Sequence, residues 1–273
     1  MDLSQIQLIA TDMDGTLLNS QDQVSARFYD VYHALKAQGV TFVAASGRQY
    51  YSLAHKLNSI KKDLYFIAEN GALLMHQDKE LGVIEIKKEK YLELLQQIQK
   101  IEGSQLIVCG RKTAYLNDHG PEFLELFSEF YERYKIIEDL TQIDDQILKL
   151  AICNINGTET HVYPQLQNLE GELKVKVSGK IWLDLSHSQA NKGNALQKLQ
   201  KLLNITAEQT MVFGDYNNDL EMMEAATYSF AMKNAHPNIL KAANYSTESN
   251  DNYGVERILE KVLEAKLTTQ AAI

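Results

Sequence analysis

The chain has 273 residues, 45% of them hydrophobic and 23% charged, with a formal charge of −9. This suits a globular protein of one large or two smaller domains that buries a core without disulfides or a structural metal. The acidic balance and the lack of a dense Lys/Arg run argue against nucleic acid or an anionic membrane as the main partner, but leave room for a small anionic substrate.

In chain order, strand-like and helix-like patterns alternate from the start, which predicts an α/β fold with a parallel sheet. Residues 6–10 form an apolar run of strand length. Residues 25–38 read as a helix, with Phe28, Val31, Tyr32 and Leu35 on one face, Ser25 as N-cap and Gly39 as stop. Strands are expected at 40–45, 64–68 and 210–213. A helix over 193–203 precedes the last of these, with Leu196, Leu199, Leu202 and Leu203 as its buried stripe.

The middle of the chain reads differently. A helix is expected near 88–101, strands near 106–109 and 114–116, and a helix from Pro121 to about 134. A strand follows at 148–152, then a helix over 159–169 despite Pro164. Residues 174–177 and 181–185 read as a hairpin around Ser178-Gly179-Lys180. Hairpin-like strand pairs mark this block as a separate α+β insertion, giving a core over 1–83, an insertion over 84–184 and the rest of the core over 185–273. The last residues, about 266–273, are expected to fray. Cys109 and Cys153 sit in apolar stretches without a CxxC pair and read as buried, reduced thiols. Met1 to Gln5 has no basic segment followed by an apolar one, so no signal peptide is expected, and no apolar run is long enough to span a bilayer. The cytoplasm is the expected compartment, as monomer or homodimer.

Polar residues fall at four strand ends: Thr11-Asp12-Met13-Asp14-Gly15-Thr16, Ser46-Gly47-Arg48, Glu69-Asn70-Gly71 and Gly214-Asp215-Tyr216-Asn217-Asn218-Asp219. In an open parallel sheet these ends line one edge, where ligands bind. Asp12 and Asp215 directly follow apolar strands, where an unpaired carboxylate is costly. Carboxylates gathered at one edge make an oxygen-rich site suited to a hard divalent cation, and Mg²⁺ is the expected occupant. No His/Cys cluster has zinc spacing. Donors for a phosphate stand at the same ends: the Ser46 hydroxyl, the Gly47 N–H, the N–H groups of Gly15-Thr16, and Lys192 at the start of a helix. Two aspartates two apart can flank one reacting group. One attacks phosphorus, while the other protonates the leaving alkoxide and then deprotonates the hydrolytic water.

Asp12-Met13-Asp14-Gly15-Thr16-Leu17 resembles the DxDGT motif of the haloacid-dehalogenase-like (HAD) hydrolase superfamily. Ser46, Lys192 and Gly214-Asp215-Tyr216-Asn217-Asn218-Asp219 resemble its second, third and fourth motifs. The insertion between the second and third motifs is similar to the large α/β (type IIB) cap of the Cof-type subfamily. Ser46-Gly47-Arg48, Glu69-Asn70-Gly71-Ala72, Asn191-Lys192-Gly193 and Asp219-Leu220-Glu221-Met222 are similar to Cof-type stretches as well, so the likeness covers nearly the whole chain. It implies a Rossmann-like core and a cap over the sheet edge. It implies Asp12 as nucleophile and Mg²⁺ ligand, Asp14 as acid/base and ligand through its backbone carbonyl, and Asp215 as the third ligand. Ser46 and Lys192 would hold phosphoryl oxygens, Asn218 would contact the phosphate, and Asp219 would orient the lysine or the metal shell. Tyr253, before Gly254-Val255, departs from the acidic residue often found there.

The function this implies is hydrolysis of small phosphomonoesters: a sugar phosphate, pyridoxal phosphate or flavin mononucleotide. The alternatives are a phosphomutase or phosphotransferase on the same aspartate, or a catalytically silent regulator. Arg48 reads equally as a substrate ligand or as the partner of an acid. Trp182, Met222 and Met223 read as core. Arg111, His119 and His187 are more simply surface or structural residues than substrate ligands.

Overall fold

The computed structural model describes residues 2–118, 120–128 and 131–271. His119, and part of the helix expected from Pro121, lie outside them. Two sheets organise the chain. The first contains β1 (Leu8–Asp12), β2 (Thr41–Ala45), β3 (Tyr65–Ala68), β4 (Leu73–His76) and β5 (Lys79–Val83). The second contains β6 (Ser104–Gly110), β7 (Ala114–Leu116), β8 (Tyr134–Ile136), β9 (Ile147–Asn154), β10 (Leu173–Gly179) and β11 (Trp182–His187). The chain then returns to the first sheet with β12 (Thr210–Gly214), β13 (Tyr228–Ala231) and β14 (Tyr245–Ser246).

The first sheet has the order β14-β13-β12-β1-β2-β3-β4-β5. From β14 to β3 every pairing is parallel, and β4 and β5 add an antiparallel hairpin. All residues of β1 are buried, as expected for a strand covered on both faces. From β1 the order runs one way through β2 and β3 and the other way through β12, β13 and β14. The reversal beside β1 is a topological switch point, and the crevice at its carboxyl ends is where such sheets bind ligands.

The second sheet, β10-β11-β9-β6-β7-β8, is antiparallel except for the β7–β8 pair. Its strands alternate between two faces. In β9 and β11, Leu150, Ile152, Leu183 and Leu185 enter one cluster, with Tyr91, Leu94, Leu95 and Ile98 of the helix Lys88–Ile98. Residues of the other parity, Lys149, Ala151, Trp182 and Asp184, line a cavity between this sheet and the ends of the first.

Several expectations need correction. Among the described residues the helix from Pro121 covers Pro121–Ser128, and Tyr134 to Ile136, expected at its end, pair in parallel with β7 instead. The 159–169 segment is broken into Thr158–His161, Tyr163–Leu166 and a 3₁₀ turn, since Pro164 has no N–H to continue a ladder. Leu202 is 59% exposed. It lies about 240° round the helix Lys192–Leu203 from Leu196, so Ala195, Leu196, Leu199 and Gln200 face inward instead. The last turns do not fray within the described residues: the helix Gly254–Ala271 persists, and Lys266 Nζ caps the Ser4 carbonyl at 2.8 Å.

Candidate active site

The four polar strand ends meet at one cavity of about 500 Å³, lined by Asp12, Asp14, Gly15, Ser46, Gly47, Arg48, Asn70, Asp215 and Asn218 from the first sheet's edge. At its floor Lys192 is fully buried, and its ammonium donates to Asp12 Oδ1 at 2.5 Å and Asp219 Oδ1 at 2.7 Å. Asp219 Oδ2 accepts the backbone N–H groups of Asp215 (3.0 Å) and Tyr216 (3.1 Å). Asp219 therefore fixes both the lysine and the turn that carries Asp215. Thr16 donates its hydroxyl to Asp215 Oδ1 at 3.1 Å.

The turn after β1 needs Gly15 for two reasons. Its φ is +76°, and a Cβ there would stand 2.3 Å from Asp215 Oδ2. The backbone can therefore approach the carboxylate of the neighbouring strand end only with no side chain at position 15.

Side-chain oxygens of Asp12, Asp215 and Asp219 lie within 4.8 Å of one another. Burial raises the Asp12 carboxyl well above its ordinary range; the charges of Asp219, Asp215 and Asp14 add to this and Lys192 opposes it. Burial and then Asp219 push Asp215 up to about 6. For Lys192, burial alone would weaken the ammonium, but Asp12 and Asp219 outweigh it and hold it protonated. Three carboxylates against one ammonium leave surplus negative charge in a buried place, and that donor set fits a hard divalent cation.

The Asp14 carboxylate is turned away from this cluster. It takes the Arg48 guanidinium, through Nε at 2.9 Å and Nη2 at 2.5 Å. Arg48 also reaches Asp22 at 3.1 Å, and Lys56 bonds Asp22 in turn. Of the two readings of Arg48, pairing with an acid is what the structure holds. Any metal contact by Asp14 would be left to its backbone carbonyl. Ser46 is buried at the end of β2, and its Oγ accepts the Arg48 N–H at 3.1 Å. The Asn218 side chain donates to Asn70 Oδ1 at 3.0 Å, and Asn70 donates to Asp184 Oδ2 at 3.2 Å. A polar chain thus runs from the last strand end to the second sheet.

Sequence reasoning missed the opposite wall. Tyr131, Lys149, Ser178, Lys180, Trp182 and Asp184 all line the cavity. Trp182, expected in the core, faces this space. Two of these residues carry a readable signal: Lys149 interrupts Leu148-Lys149-Leu150 and Asp184 interrupts Leu183-Asp184-Leu185, a charge at the centre of each apolar strand. Met222 and Met223 are buried in the core, as expected. Arg111 pairs with Glu80.

A Rossmann-like sheet with a switch-point crevice, roofed by an inserted α+β sheet and floored by four polar strand ends over the buried lysine that opens a helix, defines a class. The model of haloacid dehalogenase-like hydrolases matches residues 9–259, and the chain belongs to that family. Within it the protein is an enzyme of the phosphatase type. Across 94% of this chain and 96% of its own length, the 5-amino-6-(5-phospho-D-ribitylamino)uracil phosphatase of Escherichia coli is 33% identical. A solved structure from Streptococcus mutans superposes with a TM-score of 0.88 at 29% identity, over 95% of this chain and 99% of that one. A HAD subclass IIB sugar phosphatase shares the fold with a TM-score of 0.80 at 19% identity, over 93% of this chain and 98% of that one. Among the described residues, no helix is long and apolar enough to cross a membrane.

Proposed function

We propose that this protein is a Mg²⁺-dependent phosphatase that hydrolyses small phosphomonoesters through a phospho-aspartate on Asp12. The observation that carries the reading is the buried Asp12, which lines the cavity and is gripped on one oxygen by the fully buried Lys192. In this reading its other oxygen, Oδ2, is the nucleophile. Asp12, Asp215 and the Asp14 backbone would hold the cation, which when bound neutralises surplus charge and polarises the phosphoryl group.

The remaining chemistry belongs to the chain. Lys192, Ser46 and the Gly15 and Gly47 N–H groups bind phosphoryl oxygens and stabilise charge as it moves onto them; the Thr16 N–H, also expected there, is taken by the Met13 carbonyl at 3.3 Å. Asp12 attacks phosphorus and the P–O bond to the leaving group breaks. Asp14, released from Arg48, gives that oxygen a proton. Asp14 then takes a proton from water, which attacks the phospho-aspartate and frees phosphate and Asp12. Asn218 and Gly47 position the phosphate, and Arg48 holds Asp14 between steps. We assign residues 84–184 to a cap that excludes bulk water and contacts the leaving group.

The cavity volume suits a metabolite-sized leaving group. Trp182 and Tyr131 in its wall favour a ring. This supports the ribitylaminouracil, flavin or pyridoxal type of phosphate over a bare triose phosphate. The two buried, free cysteines suit work in the reducing cytoplasm. A panel assay of released phosphate, with and without Mg²⁺, tests the function. Acid-quenched phospho-enzyme mapped to Asp12 by mass spectrometry tests the route. Activity in Asp12→Asn would refute it, and transfer of label to a second substrate instead of water would point to a phosphotransferase.

A further inference from the structure

Lys149 is a lysine in the middle of a fully buried strand, 3% exposed, on the cavity face of the second sheet. Its ammonium crosses to the first sheet's edge. It donates to the Gly47 carbonyl at 2.8 Å, pairs with Glu69 at 2.9 Å, and lies 3.8 Å from Asp184 on its own sheet. Glu69 is itself buried, and neither of its oxygens takes a well-aligned hydrogen bond among the described residues, so the Lys149 ammonium balances its charge. Glu69 and Asn70 both hold positive φ, 49° and 54°, a strained conformation for residues with side chains. The Glu69 N–H in turn donates to the Arg48 carbonyl at 3.1 Å. With these partners around it, Lys149 has little left to offer a substrate.

We propose that Lys149 is a positioning residue, acting through Gly47 and Glu69 to set the phosphate-binding turn Ser46-Gly47-Arg48 when the second sheet is seated on the first. The Gly47 C=O and the Arg48 N–H belong to one planar peptide and point in opposite directions. An ammonium fixed on the carbonyl therefore aims the N–H, which holds Ser46 Oγ at 3.1 Å. The same residue, Arg48, carries the guanidinium that holds Asp14. Seating the cap thereby completes a site that lies wholly on the core, and does so for any leaving group.

The proposal rests on the phosphatase reading in taking that turn as the phosphate site. Its test uses the full chain with Mg²⁺ and inorganic phosphate, which has no leaving group to touch the second sheet. Phosphate binding is measured by calorimetry for wild type, Lys149→Met, and the double variant Lys149→Met/Glu69→Gln, which removes both buried charges together. Dissociation constants should rise about tenfold in both variants. kcat should fall by a common factor for substrates with different leaving groups, with the ratio of their KM values unchanged. Phosphate affinity within twofold of wild type, or a loss confined to KM for one leaving group, overturns the proposal and makes Lys149 a substrate contact. A double variant that does not fold also overturns it, assigning the cluster to folding. Wild type that neither binds phosphate nor hydrolyses any phosphomonoester sinks the phosphatase reading itself, a result read independently of the variants.

Discussion

The two sides of the cavity each bury a lysine between two carboxylates. On the core side Lys192 lies between Asp12 and Asp219; on the cap side Lys149 lies between Glu69 and Asp184. The chemistry differs because of what completes each cluster. Lys149 spends a further donor on a main-chain carbonyl, Gly47, and among the described residues its acids belong to no three-acid group. The core cluster instead gains Asp215, so three carboxylates face one ammonium and it keeps surplus negative charge. In the proposed reading the core arrangement takes a cation and reacts, while the cap-side one ties the second sheet to the first through Gly47 and Glu69. A buried ion pair is therefore not informative alone: the remaining valences decide whether it is a site or a strut.

Breaking the core cluster should have the largest effect. Asp12→Asn should lower phosphate release by on the order of 10⁴-fold or more while the protein stays folded, read by a phosphate assay alongside circular dichroism. Lys192→Met leaves Asp12 and Asp219 without their ammonium. Turnover should drop by ~10³-fold, and metal-free stability by about 3–5 kcal/mol in denaturant titration. A loss of activity with no loss of stability would show that Lys192 does not hold the carboxylates together.

Next comes pH. Asp215 is raised from 3.8 to about 6 in the metal-free fold, so between those values the folded state holds a proton that the unfolded chain has released. Through this group, stability falls as pH rises across that window. A divalent cation needs the ionised carboxylate and competes with that proton. The rise in Tm on adding Mg²⁺ should therefore be small at pH 5 and grow above pH 6. A metal effect independent of pH would contradict a carboxylate site.

On the cap side, Lys149→Met should weaken phosphate binding about tenfold, well short of the core variants. Smallest of all, Trp182→Ala should raise KM several-fold for substrates with a ring in the leaving group, the scale expected for a lost aromatic contact. It should leave inorganic phosphate binding unchanged. Equal losses in both measurements would mean that Trp182 supports the turn and not the substrate.

Much of the core was legible because local rules and global arrangement agree there. An apolar strand followed by an acid, a glycine or a hydroxyl is readable at each of four places, and parallel α/β topology leaves one edge for them to share. The Ser25 cap, the stripe from Phe28 to Leu35 and the helix beginning at Lys192 follow from periodicity and capping. Legibility failed where pairing across the sheets outweighs local pattern. Tyr134 to Ile136 pairs with β7 at the edge of the second sheet, and Leu202 faces solvent although a leucine stripe would bury it. Arg48 was legible as a residue of interest but not as the partner of Asp14, because Asp22, the third member of that cluster, comes from a loop with no motif.

The sequence by itself determined the fold class and the four strand ends, and it placed Asp12, Asp14, Ser46 and Asp215 at those ends and Lys192 at a helix start. Only the tertiary structure decided what stands opposite them. Lys149, Trp182 and Asp184 reach the cavity because period-2 alternation in β9 and β11 turns one face of the second sheet toward it. Which face that is depends on how two sheets, joined by distant segments of chain, dock on each other. A lysine between two leucines names itself as odd, and its partners, Gly47 and Glu69, become known only when the sheets meet.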